Sequence, residues 1–315
     1  MRVGIGVPHY GPDSSAATIG RFGTEAEDLG YASLWVLERT LRPRGAVKTS
    51  ATTSAVLPAS FSRVFAPIET LAYIAAITKR ISLGTSVLDA LLHPPASLAR
   101  RVATLDNLCS GRVLLGLGQG WMPEEYVAAG VPPARRGAGF EEYIEALRAC
   151  WAPDPVSFDG RFFVIPESDL GPKPIQPGGP PIYIGAMAGP AIDRAGRIAD
   201  GFNPDGLDLD HFVPTWEALR AQIDRYQSAV LAAGRPTGDA RVLVRANVHL
   251  ADVDGVEGSP LSGTPREICD GIHRLADWGV DEAFIDMSMH SAPIATQLRV
   301  MHDLRSRLGD SFFAT

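Results

Sequence analysis

Several groups suited to chemistry stand directly after short apolar runs of this 315-residue chain. His9 follows the first run in VPHYG, where an imidazole could act as acid or base on a substrate or be satisfied by backbone bonds. Glu38-Arg39 follows SLWVL. Arginine stays protonated at working pH, so this pair can orient or neutralise an anion but makes a poor proton shuttle. The plainer alternative is a surface ion pair at a strand end. Of the other histidines, His93 precedes Pro94-Pro95 and leads into a helix, His211 and His273 sit on helices, and His249 and His290 share a face only if the register is right. No HxxxH or HxxE spacing occurs, which argues against a metal site. No GxSxG elbow supports nucleophilic hydrolysis. Cys109, Cys150 and Cys269 lie far apart and match neither a disulfide framework nor a CxxC site, which points to a reducing cytosol and a cytoplasmic protein.

The second group is glycine. RVLLGLGQGW, residues 112–121, ends in Gly116, Gly118 and Gly120. A dinucleotide fingerprint needs GxGxxG after the first strand of a βαβ unit. Here the spacing is GxGxG, the strand is the fourth, and a loop with a proline, Trp121 to Glu125, follows. Gly116 reads as relief of crowding, while Gly118 and Gly120 let backbone amides approach a flat or anionic ligand.

These groups need a scaffold that gathers strand ends. Apolar, β-rich runs at residues 2–7, 33–37, 82–87, 113–118, 182–185, near Phe202, 242–250 and 283–287 alternate with helical stretches at 18–29, 68–78, 95–108, 140–149, 192–199, 211–232, 265–277 and 294–308. Eight such units in about 300 residues predict a single α/β domain over residues 1–315, a (β/α)8 TIM barrel whose active site lies at the C-terminal ends of its strands. Insertions fall after strand 2, at residues 40–66, and between strands 4 and 5, at residues 153–181. The second contains VSFDGRFFVI, a hairpin signal around Asp159-Gly160. Tyr10, Trp35, Trp121 and Tyr126 are candidates to wall a pocket.

The chain is 45% hydrophobic and 21% charged with net charge −7, and its 29 basic residues look scattered, so a nucleic-acid partner is not expected. The first apolar run is cut by Pro8 and His9, too early for a signal segment or a membrane span.

The stretch ISLGTSVLDALLHPPASLARRVATLDNLCSGRVLLGLGQGW, residues 81–121, resembles the core signature of the luciferase-like monooxygenase superfamily. GYASLWVLERT, EALRACW, FDGRFF and PPIYIGAMAGPAIDRAGRIADGF follow in family order. The resemblance implies a barrel that binds reduced FMN or coenzyme F420 at its mouth, commonly as a homodimer, and acts on a small molecule. LGTSVL is similar to the F420-using branch. By that likeness a non-proline cis peptide falls at Ser86-Val87, under the centre of the deazaflavin. The phosphate end falls to Gly118, Gln119, Gly120 and Trp121 after strand 4, and to Gly185, Ala186, Met187, Ala188 and Gly189 after strand 5, where a helix start offers amides. Many relatives carry a histidine where this chain has Arg39, and the sugar-phosphate dehydrogenases carry a glutamate where it has Trp121. The likeness therefore implies an F420-dependent oxidoreductase acting on a hydrophobic or aromatic substrate, with Glu38, Arg39 and His9 as its polar groups. The alternatives are an FMN-dependent monooxygenase served by a separate flavin or F420 reductase, and a flavin-binding protein without catalysis.

Overall fold

The computed structural model describes residues 1–48, 54–208, 213–236, 238, 240–251 and 260–313. Among them run the strands β1 (Arg2–Gly6), β2 (Ser33–Val36), β3 (Ser82–Thr85), β4 (Val113–Gly118), β5 (Ile182–Gly185), β6 (Gly201–Asn203), β7 (Arg241–Asn247) and β8 (Glu282–Asp286). They pair in parallel in the order 5-6-7-8-1-2-3-4, and β4 pairs again with β5, with Leu115 opposite Ile182, which closes the sheet. The fold is the expected (β/α)8 barrel.

Its outer ring is built from α1 (Ala16–Asp28), α2 (Pro67–Ile77), α3 (Pro95–Leu108), α4 (Pro123–Ala129), α5 (Ala138–Trp151), α6 (Gly189–Ile198), α7 (Trp216–Ala232), α8 (Pro265–Asp277) and α9 (Ile294–Arg307). Local chemistry sets many of their ends. Thr264 and Glu267 form a reciprocal capping box at α8, with Pro265 in the first turn. Gly30 and Gly234 adopt φ of +81° and +69° just past α1 and α7, where a Cβ would be strained. Pro123 has the same opening role in α4, so the segment read as a loop is helical from that residue. The expected helix start at His211 lies outside the described residues, and α7 begins at Trp216, capped by the Thr215 hydroxyl.

Inside the barrel Trp35, Tyr183, Leu243 and Phe284 pack together, Trp35 stacking on Phe284 at 5.0 Å. Trp35 is therefore filling and does not wall a pocket. Above the C-terminal ends, the insertion after β2 folds back so that the Gly11 amide bonds the Arg63 carbonyl (2.9 Å) and the Phe65 amide bonds the His9 carbonyl (3.0 Å). Its Leu57 and Phe61 join Tyr10, Leu37, Val47 and Met122 in an apolar cluster separate from the main core. The second insertion holds the hairpin Val156–Asp159 and Val164–Ser168. The Glu142 carboxylate accepts the amides of Arg161, Phe162 and Phe163 in its turn (3.1, 2.6 and 2.8 Å).

Strand β3 ends at the cis peptide that the family likeness places at Ser86-Val87, two residues before the end of the apolar run. It leaves the ladder after Thr85, the Ser86-Val87 peptide is cis, and Leu88–Asp89 pairs again with Leu117 and Gly118. The Val87 side chain projects towards the glycines of β4 and β5: a Cβ on Gly118 would stand 2.7 Å from Val87 Cγ2, and one on Gly185 2.9 Å from Val87 Cγ1. Gly118→Ala is expected to displace Val87 and to cost about 1–3 kcal/mol by overpacking, read as a lower urea midpoint at unchanged slope.

Candidate active site

The bulge after β3 is held by a polar network inside the mouth. The Ser86 hydroxyl donates to Asn203 Oδ1 (2.8 Å), and Asn203 in turn donates to the Leu243 carbonyl (2.8 Å). Arg245 Nη1 donates to the Ser86 carbonyl (2.7 Å), while Nη2 bonds Asp286 Oδ2 (3.0 Å). Tyr10 donates its hydroxyl to the same carboxylate (3.0 Å). Strands β6, β7 and β8 thus each contribute one polar side chain to a site whose half-exposed apex is Val87. Asn203, Arg245 and Asp286 were missed in the sequence because each sits inside or at the end of an apolar strand with no motif around it.

His9 is buried with both ring nitrogens engaged by backbone: Nδ1 lies 2.8 Å from the Val7 carbonyl, and Nε2 accepts the Leu37 amide (3.1 Å). Burial pushes its pKa down. A neutral ring pinned between the ends of β1 and β2 is a strut, so the acid-base role expected of it is not what this geometry provides.

Glu38 and Arg39 diverge from the end of β2. Glu38 accepts the Asp89 amide (2.8 Å) and meets His93 Nε2 at 3.0 Å. The guanidinium of Arg39 pairs with the buried Glu125 of α4 through Nη1, lies 4.0 Å from Asp89 Oδ2, and stands 5.5 Å from the Trp121 ring and 5.7 Å from the Phe61 ring. The Thr40 amide donates to the other oxygen of Glu125 (2.7 Å). Neither Glu38 nor Arg39 is the solvated pair of the plainer alternative. Two carboxyls therefore share one permanent cation, and desolvation first, then the neighbouring Glu125 and Glu38, push Asp89 up to about 8. Burial thus favours the neutral form of Asp89 beside the glycine turn, its carboxyl carbon 3.6 Å from where a Gly120 Cβ would be.

The sign of the linkage follows. The folded state holds this proton above the unfolded value of 3.8, so its contribution is full below that pH and is lost as pH rises towards about 8. Asp89→Asn, which keeps the shape without the ionisation, is expected to flatten that loss. Compared with the parent, its unfolding free energy should rise steadily between pH 5 and pH 8; a constant offset would contradict the assignment.

The turn after β4 is braced by α4 and the residues beyond it. Tyr126 donates to the Gln119 carbonyl, and Gln119 Oε1 accepts the Gly137 amide (3.0 Å). Gly120 has φ of +76°. The Arg136 guanidinium lies 4.7 Å from the Tyr126 ring centroid, with Nε and Nη2 buried and without a partner among the described residues. Arg194 of α6 approaches the same loop, its Nη2 3.6 Å from where a Gly137 Cβ would stand. After β5, Gly185, Ala186 and Met187 are half-buried and Ala188 caps α6. Pro190 has no N–H, and the amides of Ala191 and Ile192 both bond the Ala188 carbonyl (2.9 and 3.0 Å). This turn thus offers an anion fewer amides than a free helix start, and Gly189 is overlain by Arg225. The positive charge beside the glycine turn is that of Arg136, which the sequence shows only as part of an unremarkable PARRG.

Among the described residues no three His, Cys, Asp or Glu side chains gather as metal ligands, and no helix is long and apolar enough to cross a membrane.

The mouth of the closed barrel thus carries an apolar apex, a polar network behind it and, beside a glycine turn, a guanidinium whose Nε and Nη2 are buried without a partner among the described residues. The family model of the luciferase-like monooxygenases matches residues 2–255, and the chain belongs to that family, whose members are oxidoreductases. An uncharacterized protein of Mycobacterium tuberculosis is 36% identical over 204 residues, 64% of this chain and 72% of its own. The F420-dependent glucose-6-phosphate dehydrogenase of Kineococcus radiotolerans is 32% identical over 195 residues, 60% of this chain and 53% of its own. A solved monooxygenase of Streptomyces bottropensis superposes with a TM-score of 0.75 at 24% identity, covering 98% of each chain.

Proposed function

We propose that the chain is an F420-dependent oxidoreductase that moves a hydride between the deazaflavin and a small organic substrate. The observation that carries the reading is Arg136, whose buried Nε and Nη2 donors need an acceptor that the described residues do not supply. A cofactor phosphate beside Gln119 and Gly120 provides one. The choice of F420 over FMN rests on LGTSVL at β3 and on the F420-dependent relative at 32% identity.

When bound, the deazaflavin gives or takes a hydride at C5. Val87 presents its half-exposed side chain to the flat face, and Arg245 holds the Ser86 carbonyl so that this apex keeps its place. Arg136 and the turn at Gln119 and Gly120 fix the phosphate end. Trp121, under the Arg39 guanidinium, forms the wall on the β2 side. Burial favours the proton-bearing form of the Asp89 carboxyl beside the glycine turn, which makes it the candidate acid, whereas both nitrogens of His9 are occupied.

The test is anaerobic turnover with reduced F420 carrying deuterium at C5, over a panel of carbonyl and alkene substrates. Deuterium in a product formed without oxygen supports the reading. Turnover that requires reduced FMN and consumes oxygen would replace it with the monooxygenase activity.

A further inference from the structure

We propose that the substrate carries an acid group, a carboxylate, phosphate or sulfonate, and that a cavity under the insertion after β2 holds it. The cavity has a volume of about 710 Å³, in the range of small-molecule sites, and lies between residues 39–44 and 61–64. Arg39, Arg42, Arg44 and Arg63 line it, and no acidic residue does. In a chain of net charge −7 this clustering runs against the overall balance, so it is not a by-product of a basic surface.

The four guanidiniums are held differently. Arg39, at the inner end, is partly neutralised by Glu125. Arg42 is half-buried and donates through Nε and Nη2 to the carbonyls of Leu57 and Pro58 (2.8–3.0 Å), which fixes its direction and leaves its charge intact. Arg44 and Arg63 are exposed, and among the described residues no carboxylate pairs with either, or with Arg42. Three uncompensated cations around one concavity attract an oxyanion, and forked guanidinium donors suit its geometry.

The cavity also adjoins the mouth. Its inner wall is Arg39 and Phe61; Arg39 reaches Trp121, and the Phe61 ring lies 5.6 Å from that of Tyr10, whose hydroxyl belongs to the network behind the bulge. A substrate with its acid group among Arg42, Arg44 and Arg63 has its other end directed past Arg39 to the ring face. That replaces the purely hydrophobic or aromatic substrate expected from the sequence with an organic acid. Calling the occupant a substrate rests on the oxidoreductase reading; the anion site does not.

The experiment compares the parent with Arg44→Gln/Arg63→Gln, two exposed changes that should leave the unfolding midpoint unchanged. Calorimetric titrations use benzoate, its neutral counterpart benzamide, inorganic phosphate, F420, and a deazaflavin lacking the charged tail. The expected result is benzoate binding that weakens with salt and falls at least tenfold in the double variant, loss of the part of phosphate binding that benzoate competes for, no comparable binding of benzamide, and F420 affinity within twofold of the parent. Equal binding of benzoate and benzamide, or benzoate binding untouched by the double change, overturns the anion site. Loss of F420 affinity in the variant, with the tailless deazaflavin unaffected, overturns the substrate assignment and gives the cavity to the cofactor's tail. A parent that binds benzoate but neither F420 nor FMN overturns the oxidoreductase reading while the anion site stands.

Discussion

Arg245→Met lowers the unfolding free energy by about 3–5 kcal/mol. The methionine fills the space, but Asp286, whose side chain is 6% exposed, then keeps, among the described residues, only the Tyr10 hydroxyl and the Ser288 amide as partners. An anion left in the barrel mouth without its cation carries the full desolvation penalty, which is the larger part of what breaking a buried pair costs. The Ser86 carbonyl loses its donor as well. Replacing both members, Arg245→Met with Asp286→Leu, should recover much of the loss, because no charge is stranded. Urea unfolding of the two single variants and the double variant gives the coupling directly. Additive effects would mean that Arg245 and Asp286 act independently.

Arg136→Ala has opposite effects on stability and binding. In the free protein it removes two buried donors that lack partners, so the fold should be unchanged or gain up to about 1 kcal/mol. In the complex it removes charge-assisted hydrogen bonds to the phosphate; losing one, worth about 1.5–3 kcal/mol, lowers cofactor affinity roughly 10- to 150-fold, and losing both lowers it further. A purely structural Arg136 predicts a loss of stability and no specific loss of affinity. Paired thermal unfolding and cofactor titration separate the two.

The elements that could be read from the sequence are those whose ends carry their own chemistry. Strands Val113–Gly118 and Ile182–Gly185 and helices Pro95–Leu108 and Pro265–Asp277 begin and end where apolar pattern, proline and capping residues put them. At the end of β3 the apolar run alone reads on through Val87, whereas the likeness of LGTSVL places the cis peptide at Ser86-Val87, where the structure has it; what was not legible is the packing of Val87 against Gly118 and Gly185 on other strands. Helix Pro123–Ala129 was missed because a proline in the first turn looks like a breaker when no periodic run follows.

The site divides in the same way. The turns after β4 and β5 and the positions of Glu38 and Arg39 follow from strand ends, but their partners do not. Glu125 and Asp89 reach Arg39 from α4 and from the segment after β3, and the partners of His9 are backbone atoms that only the closed barrel brings together. The 29 basic residues look scattered along the chain, yet Arg39, Arg42, Arg44 and Arg63 meet once the insertion folds back beside His9 and Gly11.

The central claim is that the mouth holds a deazaflavin, and an equilibrium titration of the purified chain with F420 and with FMN, each oxidised and reduced under anaerobic conditions, tests it most directly. Saturable F420 binding at one site per chain, tighter than FMN by about an order of magnitude or more, is the predicted result. Saturable FMN binding with no detectable affinity for F420 would contradict it.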